Sequence, residues 1–160
     1  MRLLVGPAVT NETDKRLLPP AYLGMALLAM VALHLVAPVA SIPTFDVRLA
    51  GLAPLAAGIA LNLAADRAFK KRGTTVKPFE RSTALVTAGV LTLSRNPMYL
   101  GMVLILLGVA LLLGSAAPFA VVALFALALD RRFIRVEERM LADAFGDDWR
   151  AYRRRVRRWL

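Results

Sequence analysis

The sequence predicts an all-α integral membrane protein of about four transmembrane helices, the last two forming a helical hairpin. Hydrophobic residues make up 58% of the 160 residues, yet charged residues still reach 20%. The two kinds are segregated into long apolar runs and charged blocks, which is typical of a membrane protein and not of a soluble domain. Twenty of the 21 Lys and Arg residues lie in three blocks, residues 1–20, 66–97 and 130–160.

The distribution of positive charge also predicts the orientation in the membrane. Arg48 is the only Lys or Arg residue in the short connection 41–48. The positive-inside rule therefore places both termini and the 66–97 loop in the cytoplasm. The net charge of +10 then matches anionic lipid headgroups as partners, and not nucleic acid. The chain has no cysteine, which excludes disulfides, thiolate catalysis and Cys-ligated metals, and we expect no metal site. No cleavable signal peptide is visible.

We expect one membrane domain over residues 1–160. Residues 1–20 form a loose lead-in, residues 21–65 hold the first two spans, and residues 66–160 hold the functional region with its cytoplasmic C-terminal part. The first apolar run, Ala21 to Val39, is just long enough to cross a bilayer. His34 lies inside it, either as a proton relay or as a structural group bonded near the outer end of the span.

The second span, Val47 to Ala65, carries two polar residues near its cytoplasmic end. Gly51 and Gly58 are seven residues apart on one face, which favours close helix packing. Asn62 and Asp66 are four residues apart; they bond each other, cap the next segment or line a polar site.

The last two apolar runs are Pro97 to Gly114 and Ala116 to Leu129, joined by a tight turn. The fourth run has only fourteen residues, so we expect its helix to continue into the cytoplasm on an apolar stripe. Gly146 is expected to end that helix. The tail residues beyond it recur at helical spacing against arginines and predict an interfacial amphipathic helix with Trp anchors; these residues are Trp149, Tyr152, Val156 and Trp159.

The start of the third span is a candidate anion site. Asn96 is a favourable N-cap residue and Pro97 suits the first helical position. The free N–H groups and the dipole of this helix end, with Arg95 beside them, favour a negatively charged group. Two short helices joined by residues 114–118 return the chain to the level of Arg95.

Glu137 and Glu138 lie at that level, and Glu137 falls within the apolar stripe. A carboxylate there must be paired or bind a cation, since an unpaired buried charge is costly. One interpretation is an ion pair with a loop arginine. The other is a ligand whose cationic group faces the glutamates and whose anionic group faces Arg95, as an amino acid moiety does.

Five short elements occur in order and at specific spacing from about Gly73 to the C-terminus. They are Thr74-Thr75-Val76-x-Pro78, Leu85-Val86-Thr87-x-Gly89, Arg95-Asn96-Pro97-Met98-Tyr99-Leu100-Gly101, Glu137-Glu138, and Phe145-Gly146-Asp147-Asp148-Trp149 followed by Tyr152 and Val156. With these elements the sequence resembles the isoprenylcysteine carboxyl methyltransferase-like membrane methyltransferases, a group that includes phospholipid methyltransferases. The resemblance covers a little over half the chain, and the first two spans add nothing to it.

The resemblance implies an S-adenosylmethionine-dependent methyltransferase whose catalytic region is residues 66–160. It implies Arg95 and Glu137 as catalytic residues. It implies a cofactor site at the cytoplasmic membrane face formed by Arg95, Asn96, Pro97, Tyr99, Gly101, Glu137 and Glu138. Two departures stand out: the family's His is Asn96 here, which does not titrate, and the family's Gly-Pro-Tyr is Gly89-Val90-Leu91.

We therefore expect in-line transfer of the sulfonium methyl group to an O, N or S nucleophile of a lipophilic or lipid acceptor. Positioning and desolvation would supply most of the catalysis, because the methyl donor is already activated. The acceptor stays open among a prenylated protein, a phospholipid, an isoprenoid and a hydrophobic thiol. Two alternatives remain, an NADPH-dependent reductase of sterol-reductase-like fold and a non-enzymatic membrane protein.

Overall fold

A computed structural model describes residues 17–41, 45–71 and 85–160. The described secondary structure is helical apart from an isolated bridge between Ser41 and Ser115. The helices are α1 (Pro19–Val36), α2 (Phe45–Leu49), α3 (Leu52–Lys71), a 3₁₀ turn (Gly89–Thr92), α4 (Pro97–Leu113), α5 (Ala117–Leu129), a π-helical turn (Asp130–Ile134) and α6 (Arg135–Arg155).

Two helical segments of the described chain are long and apolar enough to cross a membrane, Pro19–Val36 and Asp46–Lys71. Helix α4 is apolar too but has 17 residues. The first segment presents apolar side chains outward, with Leu28 74% and Val36 84% exposed. Such surfaces fit a lipid environment better than water. The prediction of an all-α protein with membrane-spanning helices is thus confirmed for two helical segments. The count of four spans, with the last two as a hairpin, stays a prediction.

Helix α4 lies at the centre and contacts α1, α3 and α5. It approaches α3 closely through two pairs of glycines. A Cβ atom on Gly58 would lie 2.5 Å from the Gly101 carbonyl oxygen, and one on Gly51 would lie 2.6 Å from that of Gly108. The predicted packing role of Gly51 and Gly58 is therefore correct. The two glycines that they face on α4, Gly108 and Gly101, are also seven residues apart.

The end of α4 is fixed by a glycine and by a polar contact from the preceding part of the chain. Gly114 ends α4 in the left-handed conformation at φ 73°, which glycine adopts without strain. The guanidinium of Arg48 donates to the carbonyls of Leu112 and Leu113, at 3.3 and 3.1 Å. This contact gives the lone basic residue of the 41–48 connection a structural role, since cations stabilise helix C-termini.

The polar residues inside the first two apolar runs make structural contacts. His34 Nδ1 lies 2.8 Å from the hydroxyl of buried Ser115, which fits the structural alternative. Asn62 donates to the carbonyl of Gly58, and Asp66 pairs with Lys70 at 2.7 Å. Asn62 and Asp66 therefore bond to their own helix and not to each other.

The chain after α5 runs through the π-helical turn into α6. Gly146 breaks the helical conformation at φ 47°, ψ −113°, as predicted for the end of the long helix. The tail prediction was wrong in one respect. Trp149, Tyr152 and Val156 are buried together inside the protein, and Val156 is already extended, so Trp149 packs against protein and is no membrane anchor.

Some predictions concern residues outside the described part of the chain. These are most of the 1–20 lead-in, part of the outer turn at residues 42–44, and the segment 72–84 with Thr74 to Pro78. The division into a lead-in, two spans and a catalytic region stays a prediction.

Candidate functional site

The candidate site lies where the C-terminal segment returns to the start of α4. The backbone N–H of Arg95 donates to the Arg157 carbonyl at 3.0 Å. The Ser94 hydroxyl and the Asn96 amide donate to the Arg158 carbonyl at 3.2 and 3.0 Å. Asn96 occupies the N-cap position as predicted, but its side chain makes no cap hydrogen bond, because the amide is used to hold the tail.

Arg95 lies at the centre of this junction and its side chain is only 7% exposed. One terminal nitrogen donates to Glu138 Oε1 at 2.8 Å, and the other donates to the Arg153 carbonyl at 3.1 Å. The guanidinium lies 5.6 Å from the ring centroid of Trp149, within the range of a cation–π contact. Its Nε atom is buried and has no hydrogen-bond partner within the described structure.

Glu138 is the anionic partner of two arginines. Besides Arg95 it accepts from Arg158, at 2.6 Å on Oε2 and 3.2 Å on Oε1. The hydrogen bond to Glu138 raises the pKa of Arg158 above its ordinary value. Arg158 also pairs with Asp130 at 3.0 Å, and Asp130 pairs with Arg135 at 2.7 Å. The ion pair with a loop arginine, which was one of the two interpretations of the sequence, therefore exists, but at Glu138.

Glu137 has a different environment from its neighbour. Its Oε1 accepts a hydrogen bond from the hydroxyl of Tyr99 at 2.5 Å, and none of the ion pairs in the described structure includes it. Burial raises the pKa of the Glu137 carboxyl to about 7, although the Tyr99 hydrogen bond acts in the opposite direction. A carboxylate that changes its charge near neutral pH is suited to proton transfer.

An aromatic group packs beside the Tyr99–Glu137 pair. The ring of Tyr99 lies 6.1 Å from that of Phe133, and Tyr22 of α1 contacts Phe133 edge-on at 5.4 Å. The Tyr22 hydroxyl accepts a hydrogen bond from Arg132 at 3.0 Å. The sequence did not predict this contact, and the Tyr22 hydroxyl bonds neither Tyr99 nor Glu137.

The remaining predicted site residues divide between this junction and the helix interface. Pro97 is buried at the first position of α4, next to the arginine. Gly101 lies on the other side, where an added Cβ would clash with the Asn62 amide and the Gly58 carbonyl. Arg95, Asn96, Pro97, Tyr99, Glu137 and Glu138 thus gather around the start of α4, and Gly101 packs against α3.

Arg158 and Asp130 complete the charge network and were also missed. Arg158 is one of six arginines in the last eleven residues, so nothing in the sequence distinguishes it from its neighbours. Asp130 follows the last apolar residue of α5. A charged residue is common at the end of a membrane span, so this position gave no functional signal.

An open cleft of about 380 Å³ borders this network on the side of α6. It is lined by Arg131, Arg135, Glu138, Arg139, Ala142, Trp149, Arg153 and Arg158. Glu137 is not among the lining residues, so the two glutamates face different surroundings. Within the described residues no group of acidic and histidine side chains is arranged to hold a metal ion.

Comparison with known proteins places these features in a family. The family model of phospholipid methyltransferases matches residues 47–148, which include the Arg95–Gly101 element and both glutamates but not Arg153 or Arg158. A protein of Haemophilus influenzae named only as uncharacterized is 43% identical over 63 residues, which is 39% of this chain and all of that protein. No solved structure matches the chain.

Proposed function

The chain belongs to the phospholipid methyltransferase family, and on that premise we propose that it transfers a methyl group from S-adenosylmethionine to a lipid acceptor at the cytoplasmic membrane face. Family membership implies methyltransferase activity on membrane lipids. The observation that carries the finer proposal is the pair of adjacent carboxylates, one bonded to Arg95 and one to Tyr99.

The residues at the start of α4 fit the charges of the proposed cofactor. The buried Arg95 Nε lacks an acceptor among the described residues, and the cofactor's carboxylate would supply one. The Glu137 carboxyl, whose pKa burial raises to about 7, would be stabilised in its ionised form by an ammonium or sulfonium group nearby. We therefore assign cofactor binding to Arg95, Asn96, Pro97, Tyr99, Glu137 and Glu138, with Gly101 setting the position of α4 against α3.

The protein's own part in the reaction is to bind, orient and accept a proton. S-adenosylmethionine supplies an activated methyl group on a sulfonium centre. Glu137, held by the Tyr99 hydroxyl, is placed to take the proton that an amine or thiol acceptor releases, whereas a carboxylate acceptor needs no base. This assignment gives the chain a titrating group although Asn96 stands where the family has a histidine.

The membrane arrangement follows from the same proposal. Four spans with both termini in the cytoplasm would place α4 and α5 as a hairpin and the candidate site at the inner surface. The outward apolar residues of α1, such as Leu28 and Val36, would face lipid. An amphiphilic acceptor would then reach the site sideways from the bilayer, with its polar head at the level of Tyr99.

Ligand binding to the detergent-purified chain tests the cofactor assignment. S-adenosylmethionine, S-adenosylhomocysteine and NADPH are titrated by calorimetry against the wild type, Arg95→Ala and Glu137→Gln. Arg154→Ala is the control, because it removes one positive charge, as Arg95→Ala does, but from an exposed position. We expect both adenosyl ligands to bind the wild type and the control, with affinity lost in Arg95→Ala and weakened at least about tenfold in Glu137→Gln.

Thermal unfolding of each variant shows whether it is folded, since Arg95→Ala leaves the buried Glu138 with one arginine fewer. The isosteric Glu137→Gln change keeps the hydrogen-bonding shape and makes the test independent of that loss. Folded wild-type protein that binds NADPH and neither adenosyl ligand would contradict the proposal.

A further inference from the structure

The cleft beside α6 concentrates positive charge. Arg131, Arg135 and Arg139 are spaced by four residues and line it from one helical face, and Arg153 and Arg158 line it from beyond the break at Gly146. Glu138 is the single carboxylate among the lining residues.

Only part of this charge is balanced by carboxylates. Arg135 pairs with Asp130, and Arg158 pairs with Asp130 and Glu138. Among the described residues no ion pair includes Arg131, Arg139 or Arg153. Like charges brought together around a partly enclosed space repel one another, so an anion in the cleft would stabilise the arrangement.

The cleft also lies at a defined place along the chain. Arg131 follows the last residue of α5, Leu129, by two positions. In the proposed orientation the cleft therefore opens at the level where lipid headgroups carry their phosphates. A volume of about 380 Å³ lies within the range of small-molecule sites.

We propose that this cleft binds the phosphate group of an anionic membrane lipid through Arg131, Arg139 and Arg153. Guanidinium groups donate two parallel hydrogen bonds to a phosphate, which gives both charge and geometry. The proposal rests on the membrane orientation given under the proposed function, and it is independent of methyl transfer. Glu138 lines the cleft and also belongs to the candidate cofactor site, where Arg158 bonds it, so the two sites are adjacent.

The test measures binding of soluble short-chain lipids to the full-length protein in detergent. Dioctanoyl phosphatidylglycerol is the anionic probe, dioctanoylglycerol is the matched lipid without phosphate, and inorganic phosphate is the source without lipid chains. The cleft variant is Arg131→Gln/Arg153→Gln. The matched control is Arg154→Gln/Arg155→Gln, which removes the same charge from exposed positions outside the cleft.

We expect phosphatidylglycerol to bind the wild type and the control alike, and to bind the cleft variant at least about tenfold more weakly, as the loss of charge-assisted hydrogen bonds implies. Equal weakening in both double variants would overturn the proposal in favour of diffuse surface attraction. If dioctanoylglycerol bound as tightly as phosphatidylglycerol, the cleft would not recognise the phosphate. If inorganic phosphate bound as tightly, the proposal of a lipid as the ligand would be overturned.

S-adenosylhomocysteine binding is measured on the same samples. A cleft variant that keeps S-adenosylhomocysteine affinity but loses the lipid isolates the cleft. A wild type that binds the lipid but not S-adenosylhomocysteine contradicts the proposed function alone.

Discussion

At the scale of single residues, the two adjacent glutamates have separate roles because their surroundings differ. Glu138 is held between Arg95 and Arg158 and joins both guanidinium groups at the start of α4. Glu137 has Tyr99 as its hydrogen-bond donor and a pKa that burial raises to about 7. An ion pair of Glu137 with a loop arginine was one of two interpretations of the sequence. The pair forms at Glu138 instead, because neighbouring residues on a helix point about 100° apart.

The Glu137 environment predicts the pH dependence of methyl transfer to an amine-bearing lipid. A carboxylate must be ionised to accept a proton, so kcat/KM for S-adenosylmethionine, which reports the ligand-free enzyme, should rise with pH through about 7 and then level off. Tyr99→Phe removes the donor that stabilises the ionised form, so its rising limb should move to higher pH. Tyr22→Phe is the control, because Tyr22 bonds Arg132, and its profile should not move.

Initial rates at low S-adenosylmethionine concentration, measured across pH, check this prediction. A wild-type profile that is flat between pH 5 and 9 would contradict the assignment of Glu137 as the proton acceptor.

The same raised pKa of Glu137 predicts that the folded state loses stability as pH rises from about 4.5 to about 7, since the unfolded chain releases this proton first.

At the scale of helices, the apolar run bounded by Pro and Gly predicted α4 closely, whereas the expected single span Val47 to Ala65 is two helices, Phe45–Leu49 and Leu52–Lys71. Helix α4 begins at Pro97 and ends beside Gly114 as expected, since these residues fix the local backbone. The π-helical turn Asp130–Ile134 and the return of the tail to Arg95 were not predicted. The tail is held by backbone carbonyls of Arg157 and Arg158, and carbonyl partners far along the chain leave no sequence pattern.

The close packing of α3 on α4 predicts a large effect from one added methyl group. Gly58→Ala would place its Cβ 2.5 Å from the Gly101 carbonyl oxygen, and overpacking of this kind costs roughly 1–3 kcal/mol. Gly24→Ala is the control, because its Cβ would meet nothing within 4 Å. Unfolding in detergent should separate the two, and equal stability of both variants would show that the helices do not pack this closely.

The contact of Arg48 with the end of α4 predicts a smaller effect. Arg48→Gln removes the charge that lies beside the carbonyls of Leu112 and Leu113. The expected loss is about 0.3–1 kcal/mol, as for other cations at a helix C-terminus. The same unfolding assay measures it, and a variant as stable as the wild type would leave Arg48 without a capping role.

At the scale of the whole molecule, the charge distribution predicts how the chain lies in the membrane. The absence of cysteine makes labelling of single introduced cysteines direct. With the termini in the cytoplasm, Ser41→Cys should react with an impermeant maleimide on intact cells, and Ala144→Cys only after the membrane is opened. Both positions are exposed. The reverse pattern would place the candidate site on the outer face and contradict the proposed orientation.

Methyl transfer is the most direct test of the central claim. Membranes containing the wild-type chain or Glu137→Gln are supplied with S-adenosylmethionine labelled in its methyl group, and lipids are then extracted and separated. We expect a labelled lipid with the wild type and with Tyr22→Phe, and a loss of label with Glu137→Gln. The proposal would be contradicted if membranes with folded wild-type protein contained no more labelled lipid than membranes without the protein.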